Sequence, residues 1–467
     1  MESWPYTSQS FMKPAKPRLT ALRTVFSFVI SVAICYVPNM TDTGRWFLPM
    51  AENHRGLAAW CFYDWANSAF PTVLTTFVFA AYFTKSVAAD EVSGTSQWGV
   101  AMTLSALAVA VLGPILGAIA DNTGRRKPWL ALLTLIAALS ATMLWTVKPN
   151  PAFIFHALFW IALANFAFEM SMVFYNAMLP DLAPAEKLGR WSGWGWGLGY
   201  IGGLVCLGFI LIAFVQADVP LFGLNKSAAE ELRITGPFVA FWMVTFALPL
   251  FLLTPDKTAT GKTPSDAIRD GLSALSRTFQ QLYNYKEAGW FLLARMIYTD
   301  GLNTLFAFGG IYAVGTFNLT FEELIIFGIA MNLTAGLGAV AFAWLDDCIG
   351  PKVVILISVA SLSVLGGALL VVESQSLFWA FGLPLGLFVG PAQSASRSMM
   401  AHMAPKSMRT EFFGLYALSG KATAFLGPAF LAWATATFES QRAGMATIIV
   451  FFLVGMVLMM RVPAVNR

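Results

Sequence analysis

The chain of 467 residues is 57% hydrophobic and only 12% charged, with 40 Phe, 16 Trp and a mean hydropathy of +0.67. A water-soluble fold of this size would expose apolar patches large enough to drive aggregation, so much of this surface must face lipid. A formal net charge of +4 is too small to point to nucleic acid, and no such partner is expected.

In chain order, the first 50 residues carry a short apolar run, Val25 to Val37, preceded by Lys13, Lys16, Arg18 and Arg23. It is of signal-peptide length and too short to span comfortably. A cleaved signal, an interfacial segment and an extension upstream of a natural start at Met50 all fit; the start at Met50 is preferred, because Met50-Ala-Glu-Asn-His-Arg leads directly into the first convincing span. Apolar runs of spanning length then follow near 57–84, 98–120, 129–147, 152–180, 191–215 and 236–254. Six more lie near 288–316, 321–344, 353–372, 377–401, 411–438 and 443–461. The expected layout is an N-terminal extension (1–56), a six-helix half (57–254), a polar linker (255–287), a second six-helix half (288–461) and a short tail (462–467).

Sorting Lys and Arg onto the two sides of this topology puts 21 of the 29 on the side holding both termini and 5 on the other, with Arg295, Arg397 and Lys421 left inside helices. That bias places both termini in the cytoplasm and supports an even number of spans. The four cysteines, Cys35, Cys61, Cys206 and Cys348, are widely spaced, and His54, His156 and His402 lie in different segments without ligand-spaced neighbours. Neither a disulfide framework, a metal site nor a cofactor is indicated.

Two loops share one pattern. Gly117-Ala-Ile-Ala-Asp121-Asn-Thr-Gly124-Arg125-Arg126-Lys127 follows the second run, and Ala343-Trp-Leu-Asp346-Asp347-Cys-Ile-Gly350-Pro-Lys352 follows the eighth. Each reads as a tight turn in which Asp ends one helix, Gly relieves the backbone and basic residues meet the membrane surface. Ala183-Pro184 before Gly193 matches Ala404-Pro405 before Gly414, and Asp64-Trp-Ala-Asn67-Ser68 matches Asp300-Gly-Leu-Asn303-Thr304. Three paired features in register point to duplicated halves.

The loop pattern resembles the signature of the major facilitator superfamily. Tyr63-Asp64-Trp65-Ala66-Asn67-Ser68-Ala69-Phe70, Phe174-Tyr175-Asn176-Ala177-Met178-Leu179-Pro180-Asp181 and Gln393-Ser-Ala-Ser-Arg397-Ser look like the bacterial branch of its vacuolar-effluxer-like members, over about residues 50 to 460. The resemblance implies an all-α twelve-helix fold whose two halves rock about a central site. It also implies a bacterial inner-membrane location and efflux of small solutes, amino acids among them, since the fungal members are associated with amino-acid efflux from the vacuole. A monomer is expected, with protons as a coupling ion.

Charges inside a bilayer cost ~2.5–3.5 kcal/mol each on insertion scales, so they normally face a cavity or one another. This chain keeps Asp64, Glu169, Arg295, Asp300 and Arg397 within its first, fourth, seventh and tenth spans, the four that the resemblance places around the central cavity. Asp64 or Glu169 would serve as a proton-binding carboxylate, the two acids would pair with Arg295 and Arg397 as a gate, or the four would only hold the halves in register. Asn67, Asn176, Asn303 and Gln393 accompany them, and the three-residue spacing makes Asp64/Asn67 and Asp300/Asn303 expected cavity pairs. Such a set would offer both an anion and a cation partner to a zwitterion.

Tyr63, Trp65, Tyr175 and Tyr298 read either as an aromatic wall or as interfacial anchors. The glycines from Gly193 to Gly203 permit close helix approach. Lys421, in the eleventh run, fits snorkelling as well as function. The competing class is a non-transporting receptor or an enzyme on a transporter scaffold. An enzyme would call for a metal-ligand cluster or an activated nucleophile, and no span carries either pattern.

Overall fold

The computed structural model describes residues 54–261, 266, 268–271, 273 and 285–464. The apolar run at 25–37, the proposed start at Met50, and Lys262 and Arg277 of the linker lie outside the described residues. Among the described residues every regular element is helical. In bilayer hydrocarbon a helix pairs its own backbone groups, and the apolar runs take that form.

The twelve expected spans each coincide with helical chain. The first begins as α1 (His54–Asn67), followed by π-helical turns over Phe70–Phe77 and Phe83–Val87. Next come α2 (Glu91–Thr123), α3 (Lys127–Met143), α4 (Ile154–Leu182), α5 (Leu188–Ile210) and α6 (Thr235–Leu253). After the linker follow α7 (Lys286–Phe317), α8 (Phe321–Ile349), α9 (Pro351–Val371) and α10 (Gln375–Met403). The eleventh segment is divided into α11 (Arg409–Ser419) and α12 (Leu426–Phe438), and α13 (Gln441–Met460) is the last.

Nine of these described helices are long and apolar enough to cross a membrane. The first, seventh and eleventh segments are the exceptions, for two physical reasons. α7 carries Lys286, Glu287, Arg295 and Asp300 in one continuous helix. The first and eleventh are interrupted: α1 stops at Asn67, four residues before Pro71, and α12 begins only at Leu426, with Pro428 leaving the Ala424 carbonyl without its helical N–H partner.

The two Asp-x-x-Gly loops are turns of the expected kind. Gly124 (φ +85°) and Gly350 (φ +90°) adopt backbone conformations that disfavour side chains, and α3 and α9 start just beyond them with a proline in their first turns. The linker folds back here: Asp256 accepts the backbone N–H groups of Arg126 and Lys127 at 3.0 Å each, and Thr260 N–H donates to the Thr123 carbonyl at 3.1 Å. We call this the loop end of the bundle.

The first six segments meet the last six chiefly through α5 against α8 and α2 against α11. α5 is thin enough to pack on both sides. Its Gly199 and Gly202 face Asp64 and Trp65 of α1, while Gly193 and Gly197 face Ala339, Ala343 and Val340 of α8.

Candidate functional site

At the loop end the duplicated aspartates do matching work in opposite directions. Asp121, at the end of α2, accepts N–H bonds from Thr410 (2.8 Å) and Glu411 (3.0 Å) in the first turn of α11 and takes the Thr410 hydroxyl at 2.7 Å. Asp347, at the end of α8, accepts the Arg190 N–H at 3.0 Å in the first turn of α5, with the Arg190 side chain at 3.3 Å. Each carboxylate stabilises the positive end of a helix from the other half. Arg126 completes the first corner, bonding Asp121 (3.2 Å), Asp181 and the Ala177 carbonyl. Asp181 also holds Arg409 and, at 3.2 Å, Lys257 of the linker. Burial and the adjacent Arg126 push the Lys257 ammonium below its usual range. Gly117 lets α2 reach the Thr410 backbone, whereas Arg125 is exposed.

Above this corner lies a buried ion pair. Arg397 of α10 is 1% exposed, and its Nη1 donates to Asp64 of α1 at 2.9 Å and to Asn176 of α4 at 3.3 Å. Its Nε donates to the Ser192 hydroxyl at 2.9 Å and Nη2 to the Ser192 carbonyl at 2.5 Å. The guanidinium also sits over the rings of Trp60 (4.9 Å), Trp196 (5.6 Å) and Tyr175 (5.8 Å). Tyr175 donates to Asp64 at 2.9 Å. A charge this deep persists only when fully paired, and here it is. Gly195 makes the arrangement possible, since a Cβ there would lie 2.5 Å from Asp64 Oδ2 and 2.9 Å from Arg397 Nη2.

Arg397 forms part of the wall of a central cavity of about 250 Å³. Of the expected site residues, Glu169, Asn176, Arg295, Asn303, Gln393 and Arg397 line it. Asp64, Asn67 and Asp300 do not. Asp64 is covered by Arg397 and Tyr175; Asn67 is buried with its amide on the Met172 sulfur at 2.9 Å; Asp300 is fully buried and turned away from Asn303. The first span therefore supplies none of the cavity's lining residues. The fifth segment contributes Trp196, and the eleventh Phe413, Tyr416, Ala417, Gly420 and Lys421.

The expected ionic partners are also partly exchanged. Glu169 pairs with Lys421 at 2.7 Å rather than with an arginine. The interruption between α11 and α12 holds Lys421 on the cavity wall, so it does not snorkel. Arg295 makes no carboxylate pair among the described residues: it donates to the Tyr416 carbonyl (2.6 Å) and the Ser419 hydroxyl (2.7 Å) and lies 3.5 Å from the Tyr416 ring centre. Gln393 accepts from Tyr200 at 2.6 Å. Tyr63, Trp65, Tyr175 and Tyr298 are all buried, so none is an interfacial anchor, and of the four only Tyr298 reaches the cavity. Lys421, Ser192 and Trp196 are the wall and pairing residues that spacing alone did not reveal; Pro428, seven residues after Lys421, was the available signal for the interruption.

The described residues hold no group of three or more His, Cys, Asp or Glu side chains arranged for a metal. This helical architecture is that of the major facilitator transporters. It matches the crystal structure of the major facilitator transporter FucP in the outward conformation with a TM-score of 0.68 at 13% identity, over 88% of this chain and 98% of that one. Residues 86–466 match the family described as vacuole effluxer Atg22 like, and the chain belongs to that family. An uncharacterized MFS-type transporter of Bacillus subtilis, YxiO, is 27% identical over 408 residues, covering 87% of this chain and 94% of the relative. The autophagy-related protein 22-1 of Penicillium rubens is 23% identical over 296 residues, 58% of this chain, which spans about half of that relative (49%).

Proposed function

We propose that the chain is a secondary active transporter that exports a small carboxylate-bearing solute, an amino acid fitting best, by alternating access of its two six-helix halves. The loop end is cytoplasmic in this reading, as the distribution of Lys and Arg expects. The names of the relatives support transport.

The observation that carries the substrate class is Arg295. Four charged side chains line the cavity; Arg397 is balanced by Asp64 and Lys421 by Glu169, which leaves Arg295 as surplus positive charge among the described residues. A carboxylate placed against it gains charge-assisted hydrogen bonds in a site of low dielectric. The ammonium of an amino acid then takes over Glu169 from Lys421. In this reading the loop-end contacts and the Asp64–Arg397 pair form the inner gate and separate when the site turns to the cytoplasm.

Counterflow of labelled amino acids in proteoliposomes of the purified chain tests this. Exchange that Arg295→Ala abolishes supports the reading. Absence of flux with every small carboxylate tried overturns it.

A further inference from the structure

The two carboxylates first considered for proton coupling, Asp64 and Glu169, are both held by cations. Asp300 is not. It is 0% exposed in the middle of α7, and neither carboxylate oxygen has a hydrogen-bond partner at bonding distance. Beside it, in the interruption between α11 and α12, the Thr423 hydroxyl is likewise buried without a hydrogen-bond partner. Gly427, at the start of α12, packs directly on this turn of α7, where the Thr304 hydroxyl donates to the Asp300 carbonyl at 2.7 Å; Phe451 and Phe452 of α13 close the adjacent Gly301.

An ionised carboxylate in such a place would have neither a counter-charge nor a donor beyond one hydroxyl, which is the costliest state available to it. The titratable groups carried nearby by the packed elements do not relieve it. Arg295 is turned to Tyr416 and Ser419, Lys421 is held by Glu169, and the Tyr298 hydroxyl is on Ser396 at 2.6 Å. α12 carries no charged residue, and on α13 the charged side chain, Arg442, bonds the Leu370 and Val372 carbonyls.

We infer that Asp300 is a proton-binding site formed jointly by α7 and the interrupted eleventh segment, with Asp300 neutral in this conformation and its acid O–H shared with Thr423. One proton binds one carboxylate oxygen and an O–H bond forms. When the interruption moves and water or a cation reaches the carboxylate, that bond breaks and the proton leaves, with no change of oxidation state. The site would couple proton movement to the export proposed above, and only this coupling rests on that reading.

Infrared difference spectra of the purified protein over a pH series test the binding itself. The carbonyl band of a protonated carboxyl is expected to grow in the unaltered protein as the pH of the series falls, with a component absent in Asp300→Asn and shifted in Thr423→Ala. A spectrum in which neither substitution alters a protonated-carboxyl band overturns the inference. In proteoliposomes, accumulation driven by a pH gradient in Asp300→Asn should fall about tenfold relative to counterflow; an unchanged ratio overturns the coupling. Lack of any flux in the unaltered protein would remove the transport reading and the coupling with it, while the infrared band still decides whether Asp300 binds a proton.

Discussion

The Lys421 ammonium lies 2.7 Å from Glu169 Oε1, joining the interrupted eleventh segment to α4 across the cavity wall. Glu169 stands seven residues from Asn176 on α4, so this pair sits about 10 Å further along the bundle than the Asp64–Arg397 pair. The cavity thus carries one ion pair at its loop-end wall and a second higher up, each linking an acid of the first six segments to a base of the last six.

Because Lys421 occupies the carboxylate that a substrate ammonium would use, the two partners should respond to substitution with opposite signs. Lys421→Gln removes the internal competitor and is expected to tighten amino-acid binding about tenfold, whereas Glu169→Gln weakens it by at least as much, about 1.4 kcal/mol. Thermal-shift titration of both variants checks this. Weakening by both would show that the pair acts only as a brace.

Arg295 makes a separate prediction. Its guanidinium is already oriented by Tyr416 and Ser419, which leaves the fork free for a planar carboxylate. Loss of such charge-assisted bonds costs ~1.5–3 kcal/mol, so Arg295→Ala should weaken binding of an amino acid by about 10- to 100-fold. Binding of the corresponding decarboxylated amine should change little. Arg295→Lys keeps the charge but not the fork and is expected to fall between the two. Equal losses for acid and amine would place Arg295 in a structural role.

The buried pair at the loop-end wall predicts a pattern in stability. Asp64→Asn leaves the Arg397 guanidinium buried with its charge uncompensated, which costs ~3–5 kcal/mol, while removal of both charges by apolar residues of similar volume recovers most of it. Unfolding of Asp64→Asn and of the double variant Asp64→Leu/Arg397→Met in detergent would show the asymmetry. Equal destabilisation of single and double variants would mean that packing, not charge, holds this junction.

Which charged side chains lie inside the helical bundle was legible from the sequence, and direction around each helix was not. Counting residues placed Asp64, Glu169 and Arg397 in the interior, where they lie. Three-residue spacing, however, turns one side chain about 60° from the next. That is enough to put Asn303 on the cavity and Asp300 against the eleventh segment, and to send Asn67 to Met172. Partner choice also depended on an interruption that hydropathy does not register: the run 411–438 reads as one helix, yet the unwound turn at 420–425 is what brings Lys421 to Glu169. The paired loops were easier, because a positive-φ glycine three residues after an aspartate near a helix end is a local property, and Gly124 and Gly350 both adopt it.

Gly195 and Gly208 lie on the same helix, α5, and separate close packing from helix propensity. A Cβ at Gly195 would meet both Asp64 and Arg397, whereas one at Gly208 meets nothing within 4 Å. Gly208→Ala should therefore stabilise α5 by about 0.5–1 kcal/mol and leave counterflow intact. Gly195→Ala cannot be absorbed by a flexible side-chain end, since both atoms in its way belong to groups fixed by Tyr175, Ser192 and Asn176. It should lower the melting temperature and strongly reduce flux, and shortening the neighbour with Asp64→Ala in the same chain should not rescue it, because Arg397 would then be buried unpaired. Parallel melting and flux measurements on the two alanine variants check this, and equal behaviour at the two positions would show that α5 does not depend on close contact with the ion pair.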